Sequence, residues 1–169
     1  MLRYIAVLLS FVLGMSAGAH AQRIDGIEIL SYGIMSADKQ KLEKDANISS
    51  GQRVNYDEVK IIRRTSTITL YNTEDDLIFG AHMRLQGSPP DRPMTVRIVW
   101  LYPRPGLVNP ATGIAKFKDE YNDTWRIGRS RNYFWTIGSA WTKVPGTWTL
   151  QIWHDKRLLA EQTFQLVNG

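Results

Sequence analysis

Apolar and polar side chains alternate with a period of two along most of the chain, and no long stretch shows helical periodicity. The clearest example is the segment 77–86, where His82, Arg84 and Gln86 lie on the face opposite the apolar residues. One apolar and one polar face are typical of a strand in an antiparallel sheet that packs on one side. The content of β-branched and aromatic residues predicts further strands in the segments 24–35, 59–71, 94–102, 125–127, 133–137, 148–154 and 158–166.

Polar segments rich in turn residues separate these predicted strands. The two longest are residues 37–56 and 103–122, which we interpret as long loops, the first with room for one helical turn at 39–44. Pro145-Gly146 predicts a tight turn, because proline presets the first central residue and glycine permits a positive φ at the second. Seven to eight strands without an internal repeat predict an all-β fold, a sandwich or a partly open barrel.

The N-terminal residues 1–21 have the pattern of a cleaved signal peptide. Arg3 precedes a short apolar run, and Ala19-His20-Ala21 has the A-x-A form that signal peptidase cleaves. The apolar run is roughly ten to twelve residues long, short of the ~20 needed to span a bilayer. We therefore expect cleavage after Ala21, a mature single domain at 22–169 without a transmembrane segment, and a periplasmic or secreted location.

Composition limits the stability and the partners of that domain. The chain contains no cysteine, so its core must hold the fold without disulfides. Removal of residues 1–21 takes away one arginine and leaves 20 Lys+Arg against 16 Asp+Glu, a net charge of +4. This mild excess favours anionic neighbours such as acidic polysaccharide or phosphorylated lipid surfaces, and it is far from the composition of nucleic-acid-binding proteins.

Several segments together resemble a bacterial family of secreted domains of unknown function. The resemblance covers residues 24–167 and is most distinctive in the middle loop with its Pro-Gly and Pro-Ala-Thr-Gly motifs. It implies export and an immunoglobulin-like antiparallel β-sandwich, and it supplies no activity, cofactor or catalytic residue. The segments that carry it are Ile78-Phe79-Gly80, Leu85-Gln86-Gly87, Pro105-Gly106, Asn109-Pro110-Ala111-Thr112-Gly113, the 144–153 run, Leu158-Leu159-Ala160 and Phe164.

No residue cluster in the sequence forms a persuasive active site. His82 and His154 are the histidines that remain after signal removal, and their spacing does not suggest a triad or a metal site. Serine-hydrolase, metalloprotease and phosphate-loop motifs are absent. The acidic groups at 74–76 and 119–123 lack the spacing of a calcium loop, so we interpret them as charged turn residues. We expect no catalytic residue, no metal and no cofactor, and an unrecognised hydrolase is the least favoured alternative.

The aromatic residues are the most informative feature. All six tryptophans lie between residues 100 and 153, where they serve either core packing or a binding surface. Trp148 is in phase with Leu150 and Ile152 and is predicted to face the core, whereas Trp153 is out of phase and is predicted to lie on the other face. By the same argument, Phe134 is predicted to lie on the face opposite to that of Tyr133 and Trp135.

Basic residues accompany these aromatics and complete the predicted ligand-binding surface. Arginine provides forked donors for anions and stacks on rings, although a solvated rim that protects sheet edges is the alternative. The surface consists of Arg126, Arg129, Arg131, Phe134 and Trp153, with the 103–122 loop at its margin.

The sequence thus favours a non-catalytic, exported binding or interaction module of the bacterial cell envelope. It does not identify the ligand, for which an anionic glycan is one candidate. The alternative is a structural or assembly accessory that binds another envelope protein by strand addition at an exposed sheet edge. We expect no nucleic-acid partner.

Overall fold

A computed structural model of the chain describes residues 22–37, 40–44, 49, 52–56, 58–71 and 76–169. The predicted signal peptide and its cleavage site lie outside the described residues. Within the described ranges, no helix is long and apolar enough to cross a membrane.

The described chain consists almost entirely of β-strands, as the alternation predicts. A single turn of 3-10 helix at Ala140–Thr142 precedes the last two strands. The strands are β1 (Arg23–Ala37), β2 (Gln40–Lys44), β3 (Gln52–Tyr56), β4 (Val59–Arg64), β5 (Thr67–Leu70), β6 (Leu77–Ser88), β7 (Pro93–Leu101), β8 (Leu107–Val108), β9 (Ala115–Lys116), β10 (Lys118–Arg126), β11 (Ser130–Ile137), β12 (Gly146–His154) and β13 (Arg157–Asn168).

Nine of these strands form two sheets that pack face to face. The four-stranded sheet has the order β11-β6-β1-β4, and the five-stranded sheet has the order β10-β7-β12-β13-β5. The pairs within the sheets are antiparallel except for β13 and β5, which run parallel. The pairs β2–β3 and β8–β9 form separate two-stranded hairpins. The predicted all-β sandwich is confirmed.

Large aromatic side chains fill the space between the two sheets. Phe79 on β6 is fully buried, and its ring centroid lies 5.7 Å from that of Trp100, 5.8 Å from that of Trp148 and 5.1 Å from that of Phe164. These contacts are edge-to-face, the arrangement that the charge distribution of aromatic rings favours. One aromatic from the four-stranded sheet therefore joins three from the five-stranded sheet, which explains how a chain without cysteine holds its layers together.

Two segments interpreted as loops contain regular pairing. Residues 37–56 include β2 and β3, which pair antiparallel from Gln40↔Tyr56 to Lys44↔Gln52, so the helical turn considered at 39–44 is wrong. Residues 103–122 include β8, β9 and the first half of β10. Both segments are polar, and backbone pairing between neighbouring strands does not require the apolar alternation on which the prediction rested.

Candidate ligand-binding surface

Trp153 lies on the outer face of the five-stranded sheet, as its phase predicts. Its β12 neighbour Ile152 is fully buried in the core, whereas the Trp153 side chain is half-buried. A β-bulge falls between these two residues in the pairing of β12 with β13. The Trp153 indole N–H donates a hydrogen bond to Oε1 of Gln151 at 3.0 Å. The ring therefore lies on the surface of the sheet, and its indole N–H is hydrogen-bonded to a side chain and not to the backbone.

Arg97 stands beside this tryptophan. It lies on β7 directly opposite Trp153, and its guanidinium carbon is 5.7 Å from the centre of the indole ring. A cation at this distance over an indole is attracted by the negative face of the ring. The register between β7 and β12 thus creates an arginine–tryptophan pair whose members are far apart in the sequence.

The rest of the outer face near this pair is polar. Gln151 lies opposite Glu161 on β13, and its amide nitrogen donates to the Glu161 carboxylate at 2.7 Å. On the other side, Asn122 of β10 lies opposite Arg97 and is exposed. An aromatic ring, a cation, a carboxylate and two side-chain amides therefore share one sheet surface. Such a mixture of hydrogen-bonding groups and a flat ring suits a polar ligand with hydroxyl and anionic groups.

Arg126 and Arg129 meet at the turn that follows β6. The Arg126 guanidinium donates to the backbone carbonyl of Asp91 at 2.8 Å, and Nε of Arg129 lies 2.6 Å from Oδ1 of the same aspartate. This contact with Arg129 lowers the pKa of the Asp91 carboxyl below its usual value. Both partners in the Arg129–Asp91 pair are exposed, so water screens the attraction and the pair adds little stability.

Arg131 connects the two sheets at one side of the sandwich. It projects from β11 and lies 2.6 Å from Oδ2 of Asp123 on β10, which also accepts a hydrogen bond from the Tyr133 hydroxyl at 2.8 Å. Burial, and secondly the nearby Asp123 charge, raises the pKa of Tyr133. These contacts link the edge strands β10 and β11 of the two sheets, so Arg131 has a structural role.

Phe134 lies on the outer face of the four-stranded sheet and is half-buried. It pairs with Gly80 of β6, and a methyl group added at Gly80 would come within 2.1 Å of the Tyr133 carbonyl oxygen. Glycine is therefore required here for β11 to approach β6 closely. Phe134 and Trp153 lie on the outer faces of different sheets, on opposite sides of the core.

The sequence profile of a family described as a domain of unknown function, DUF3859, matches residues 24–166. The chain belongs to the DUF3859 family. A similar solved structure is an immunoglobulin-like protein from Pseudomonas aeruginosa, which is 24% identical, with a TM-score of 0.52 over 89% of this chain and 100% of that one. This likeness establishes the immunoglobulin-like fold, as the resemblance in the sequence implied.

A second solved structure is more distant from this DUF3859 chain. The β-glucosidase from Listeria innocua, solved in complex with glucose, is 8% identical, with a TM-score of 0.33 over 82% of this chain and 16% of that one. Among curated proteins, no relative matches the chain.

In this DUF3859 domain the five predicted surface residues do not form one patch. Trp153 and Arg126 share the outer face of the five-stranded sheet, and Arg129 lies at the adjacent turn. Arg131 bridges the sheets, and Phe134 lies on the opposite face. The sequence analysis missed Arg97 and Gln151. Arg97 lies beside Trp153 because of the register between β7 and β12, which alternation does not reveal. The outward position of Gln151 could have been predicted, because it is a polar residue between Leu150 and Ile152.

The remaining polar candidates are engaged in local contacts. Nδ1 of His82 lies 2.8 Å from the Asn132 side-chain oxygen, and Nδ1 of His154 lies 3.0 Å from the Thr95 carbonyl oxygen. Among the described residues, no group of three or more histidine and carboxylate side chains is arranged to hold a metal ion. Of the acidic clusters, residues 74 and 75 lie outside the described part of the chain.

Asp119 is the most deeply buried carboxylate of the described clusters, with 2% of the residue exposed. Its two oxygens accept hydrogen bonds from Ser49, one from the backbone N–H at 2.6 Å and one from the hydroxyl at 2.7 Å. Lys116 lies 3.8 Å from the same carboxylate. These contacts satisfy a buried charge and fix residue 49 against the start of β10, which is a structural role.

Proposed function

We propose that the chain is an exported, non-catalytic module that binds an anionic glycan of the cell envelope. The binding surface is the outer face of the five-stranded sheet, centred on Trp153, Arg97 and Gln151. The observation that carries this proposal is the half-buried indole of Trp153 with the Arg97 guanidinium 5.7 Å from its centre. A monomeric domain does not need this pair for its core, because the core aromatics lie on the inner faces.

The chemistry of this surface matches a sugar with acidic groups. A sugar ring stacks its C–H face on an indole, while arginine binds a carboxylate or phosphate with two parallel donors. The amide of Gln151 already holds the indole N–H at 3.0 Å and can exchange that contact for a ligand hydroxyl. Arg126, on the same face and further along β10, extends the cationic surface toward a longer chain of sugars.

The engagement of both histidines and of Asp119 in local hydrogen bonds supports a role in binding rather than in catalysis. A general base must be free to approach the proton it removes. His82 and His154 also lie on different sheets, so they do not converge on one reacting atom.

The envelope location of this module rests on the signal-peptide pattern of residues 1–21 and on the mild positive charge of the chain. A periplasmic or secreted domain meets acidic polysaccharides and phosphorylated glycolipids at high local density. A net positive charge attracts such ligands over a Debye length of about 8 Å at physiological ionic strength.

Strand addition at a sheet edge is the second candidate function. It is favoured by Ile62 on the edge strand β4, which is 65% exposed. Against it, β4 also carries Lys60, Arg63 and Arg64, all exposed. Charged residues along an edge strand oppose pairing with another chain. The composition of β4 therefore supports the glycan-binding proposal over the accessory role.

The test is a calorimetric titration of the purified protein with acidic and neutral polysaccharide fragments of equal length. We expect saturable, salt-sensitive binding of the acidic fragment alone. Trp153→Ala and Arg97→Ala should each weaken it by about tenfold, equivalent to about 1.4 kcal/mol. Phe134→Ala is the matched control, because it removes a half-buried aromatic from the opposite outer face.

Three outcomes would contradict the proposal. These are equal affinity for neutral and acidic fragments, loss of binding in Phe134→Ala but not in Trp153→Ala, and no binding of any acidic fragment. Loss of affinity caused by replacing Ile62 with lysine, in a pull-down of an envelope protein, would favour the strand-addition alternative instead.

A further inference from the structure

The side-chain amide of Gln151 is hydrogen-bonded at both ends. Its oxygen accepts from the Trp153 indole N–H at 3.0 Å, and its nitrogen donates to Oε2 of Glu161 at 2.7 Å. The two ends of an amide have similar shapes but opposite hydrogen-bonding roles, so a donor on one side and a carboxylate on the other fix which end faces the ring. Glu161 therefore positions the amide of Gln151, and through it the indole of Trp153.

This chain of hydrogen bonds crosses the outer face of the five-stranded sheet. Trp153 and Gln151 are two residues apart on β12 and project from the same face. Gln151 lies opposite Glu161 on β13, and Trp153 lies opposite Arg97 on β7. Because β7 and β13 flank β12, a cation and a carboxylate lie on opposite sides of the indole. Their strands are separated by two strand spacings, or about 10 Å across the sheet.

Neither of these two charges is neutralised within the described part of the chain. Arg97 and Glu161 are both exposed, and no ion pair among the described residues includes either of them. Glu120, a carboxylate of β10 on the same outer face, differs because the Lys118 ammonium lies 3.0 Å from it. The surface around Trp153 thus has a positive side on β7 and a negative side on β13.

This polarity restricts which acidic glycan fits the surface, and the restriction rests on the glycan-binding function proposed above. A sugar stacked on Trp153 can turn its carboxylate to Arg97, which binds it with parallel donors. The next sugar on the β13 side then meets the Glu161 carboxylate, which accepts hydrogen bonds and donates none. The hydroxyl groups of a neutral sugar satisfy that carboxylate, whereas a second acidic group is repelled by it.

We propose that Glu161 is a specificity-determining residue that selects glycans in which an acidic sugar is followed by a neutral one. Glycans with an acidic group on every sugar are disfavoured, because one of those groups meets a like charge. A repulsive element against the wrong ligand is a general source of specificity. Glu161 is at the same time a positioning residue, since it keeps the Gln151 oxygen on the indole N–H.

The test is a calorimetric titration at low salt with two acidic hexasaccharides. In the hyaluronan fragment, glucuronic acid alternates with the neutral N-acetylglucosamine, whereas hexagalacturonate has a carboxylate on every sugar. We expect the protein to bind the hyaluronan fragment more tightly. The net positive charge of the chain favours the more highly charged hexagalacturonate, so it cannot produce this preference. Tighter binding of hexagalacturonate by the parent protein would overturn the proposal.

Glu161→Gln should raise the affinity for hexagalacturonate by about fivefold, the factor for two like charges about 4 Å apart in water. Binding of the hyaluronan fragment should not change. The matched control is Glu28→Gln on the outer face of the other sheet. Glu28 is also exposed and accepts from a glutamine amide, that of Gln86, at 3.3 Å. Both substitutions remove one negative charge, so a gain confined to Glu161→Gln is a local effect.

The positioning role of Glu161 has a readout that needs no glycan. Glu161→Ala removes the acceptor of the Gln151 amide, so the indole N–H signal of Trp153 should move in proton–nitrogen NMR spectra. Glu161→Gln retains an acceptor oxygen and should leave this signal close to its position in the parent. An unchanged Trp153 signal in Glu161→Ala would overturn the positioning role.

Two outcomes of the titration separate this inference from the function on which it rests. In the first, both hexasaccharides bind the parent and lose affinity in Trp153→Ala, but Glu161→Gln and Glu28→Gln change hexagalacturonate binding equally. The glycan surface then stands, and the selective role of Glu161 is wrong. In the second, neither hexasaccharide binds the parent protein, so the proposed function fails and the selective role of Glu161 fails with it.

Discussion

Trp148 and Trp153 lie five residues apart on the same strand and have opposite environments. Trp148 has no exposed surface, and its indole N–H donates to the backbone carbonyl of Val144 at 2.9 Å. Trp153 is half-buried, and its N–H donates to the side chain of Gln151. A backbone partner is fixed by the fold, whereas a side-chain partner can rotate away.

The difference between the two tryptophans separates residues that build this fold from residues that are available for recognition. The inner face of the five-stranded sheet meets Phe79 and Trp135 from the other sheet, so its aromatics have no surface left for a ligand. The outer face meets solvent, and there the indole of Trp153 lies against the guanidinium of Arg97 instead of against another aromatic ring. A composition rich in tryptophan is therefore not evidence of a binding surface until each ring has been assigned to a face.

The largest expected effect of a substitution is at Trp148. Trp148→Ala should lower the free energy of unfolding by about 3–5 kcal/mol, because it removes a fully buried ring and leaves a cavity among aromatic neighbours. Trp153→Ala should lower it by less than about 1 kcal/mol, since its ring is only partly removed from water. Urea unfolding followed by far-ultraviolet circular dichroism measures both values. If the two variants lost the same free energy of unfolding, the distinction between a structural inner face and an available outer face would be wrong.

An intermediate effect is expected at the side of the sandwich, in alkaline solution. Burial and Asp123 raise the pKa of Tyr133, so the folded chain keeps this phenolic proton above pH ~10, where the unfolded chain releases it. The contribution of the Tyr133 phenol to the free energy of unfolding is therefore fully present below about pH 10. It decreases as the pH rises above that value, by at most about 1.4 kcal/mol per pH unit. Tyr133→Phe should reduce the slope between pH 10 and 11 in urea titrations.

Part of the alkaline loss should persist in Tyr133→Phe, because burial also raises the pKa of Tyr102 well above its usual value. A matched variant that leaves both phenols intact, Arg129→Ala, should keep the slope of the parent. If Tyr133→Phe and the parent lose stability equally between pH 10 and 11, the Tyr133 hydroxyl does not lie in the buried, acidic environment described above.

The smallest effect is expected at the exposed pair of Arg129 and Asp91. Arg129→Ala should change the free energy of unfolding by less than about 1 kcal/mol, even though the two side chains are 2.6 Å apart, because both are exposed to water. Chemical unfolding at low and high salt measures this value. A cost above about 2 kcal/mol would mean that Arg129 belongs to the frame of the molecule, as Arg131 does.

The sequence was sufficient to assign the faces of β6 and β12. Alternation is a local property, so Trp148 inside and Trp153 outside followed from their phase relative to Leu150 and Ile152. The strand β10 was partly missed, because its inward residues include Asp119 and Asp123, which hide the alternation. These acids are tolerated inside because Ser49 and Arg131 satisfy them, and such partners are known only once the strands are placed.

The composition of the binding surface was less predictable than the fold. Arg126, Arg129 and Arg131 are close in sequence, but the first two contact Asp91 at the turn after β6, whereas Arg131, on the other sheet, pairs with Asp123. Arg97 lies next to Trp153 because β7 pairs with β12, and the bulge between Ile152 and Trp153 adjusts the neighbouring pairing with β13. Which strands become neighbours in a sheet is a tertiary property, and the local pattern of β7 or of β12 does not reveal that the two strands pair.

The most direct test of the central claim is a proton–nitrogen NMR titration of the indole N–H groups of the six tryptophans with an acidic oligosaccharide. Trp153→Phe identifies the signal of Trp153 by its disappearance. We predict that this signal moves in a saturable manner, while those of the buried Trp100, Trp125 and Trp148 stay in place. A stationary Trp153 signal in the presence of bound oligosaccharide, or no response of any indole to any acidic glycan, would contradict the assignment of the outer face as the binding surface.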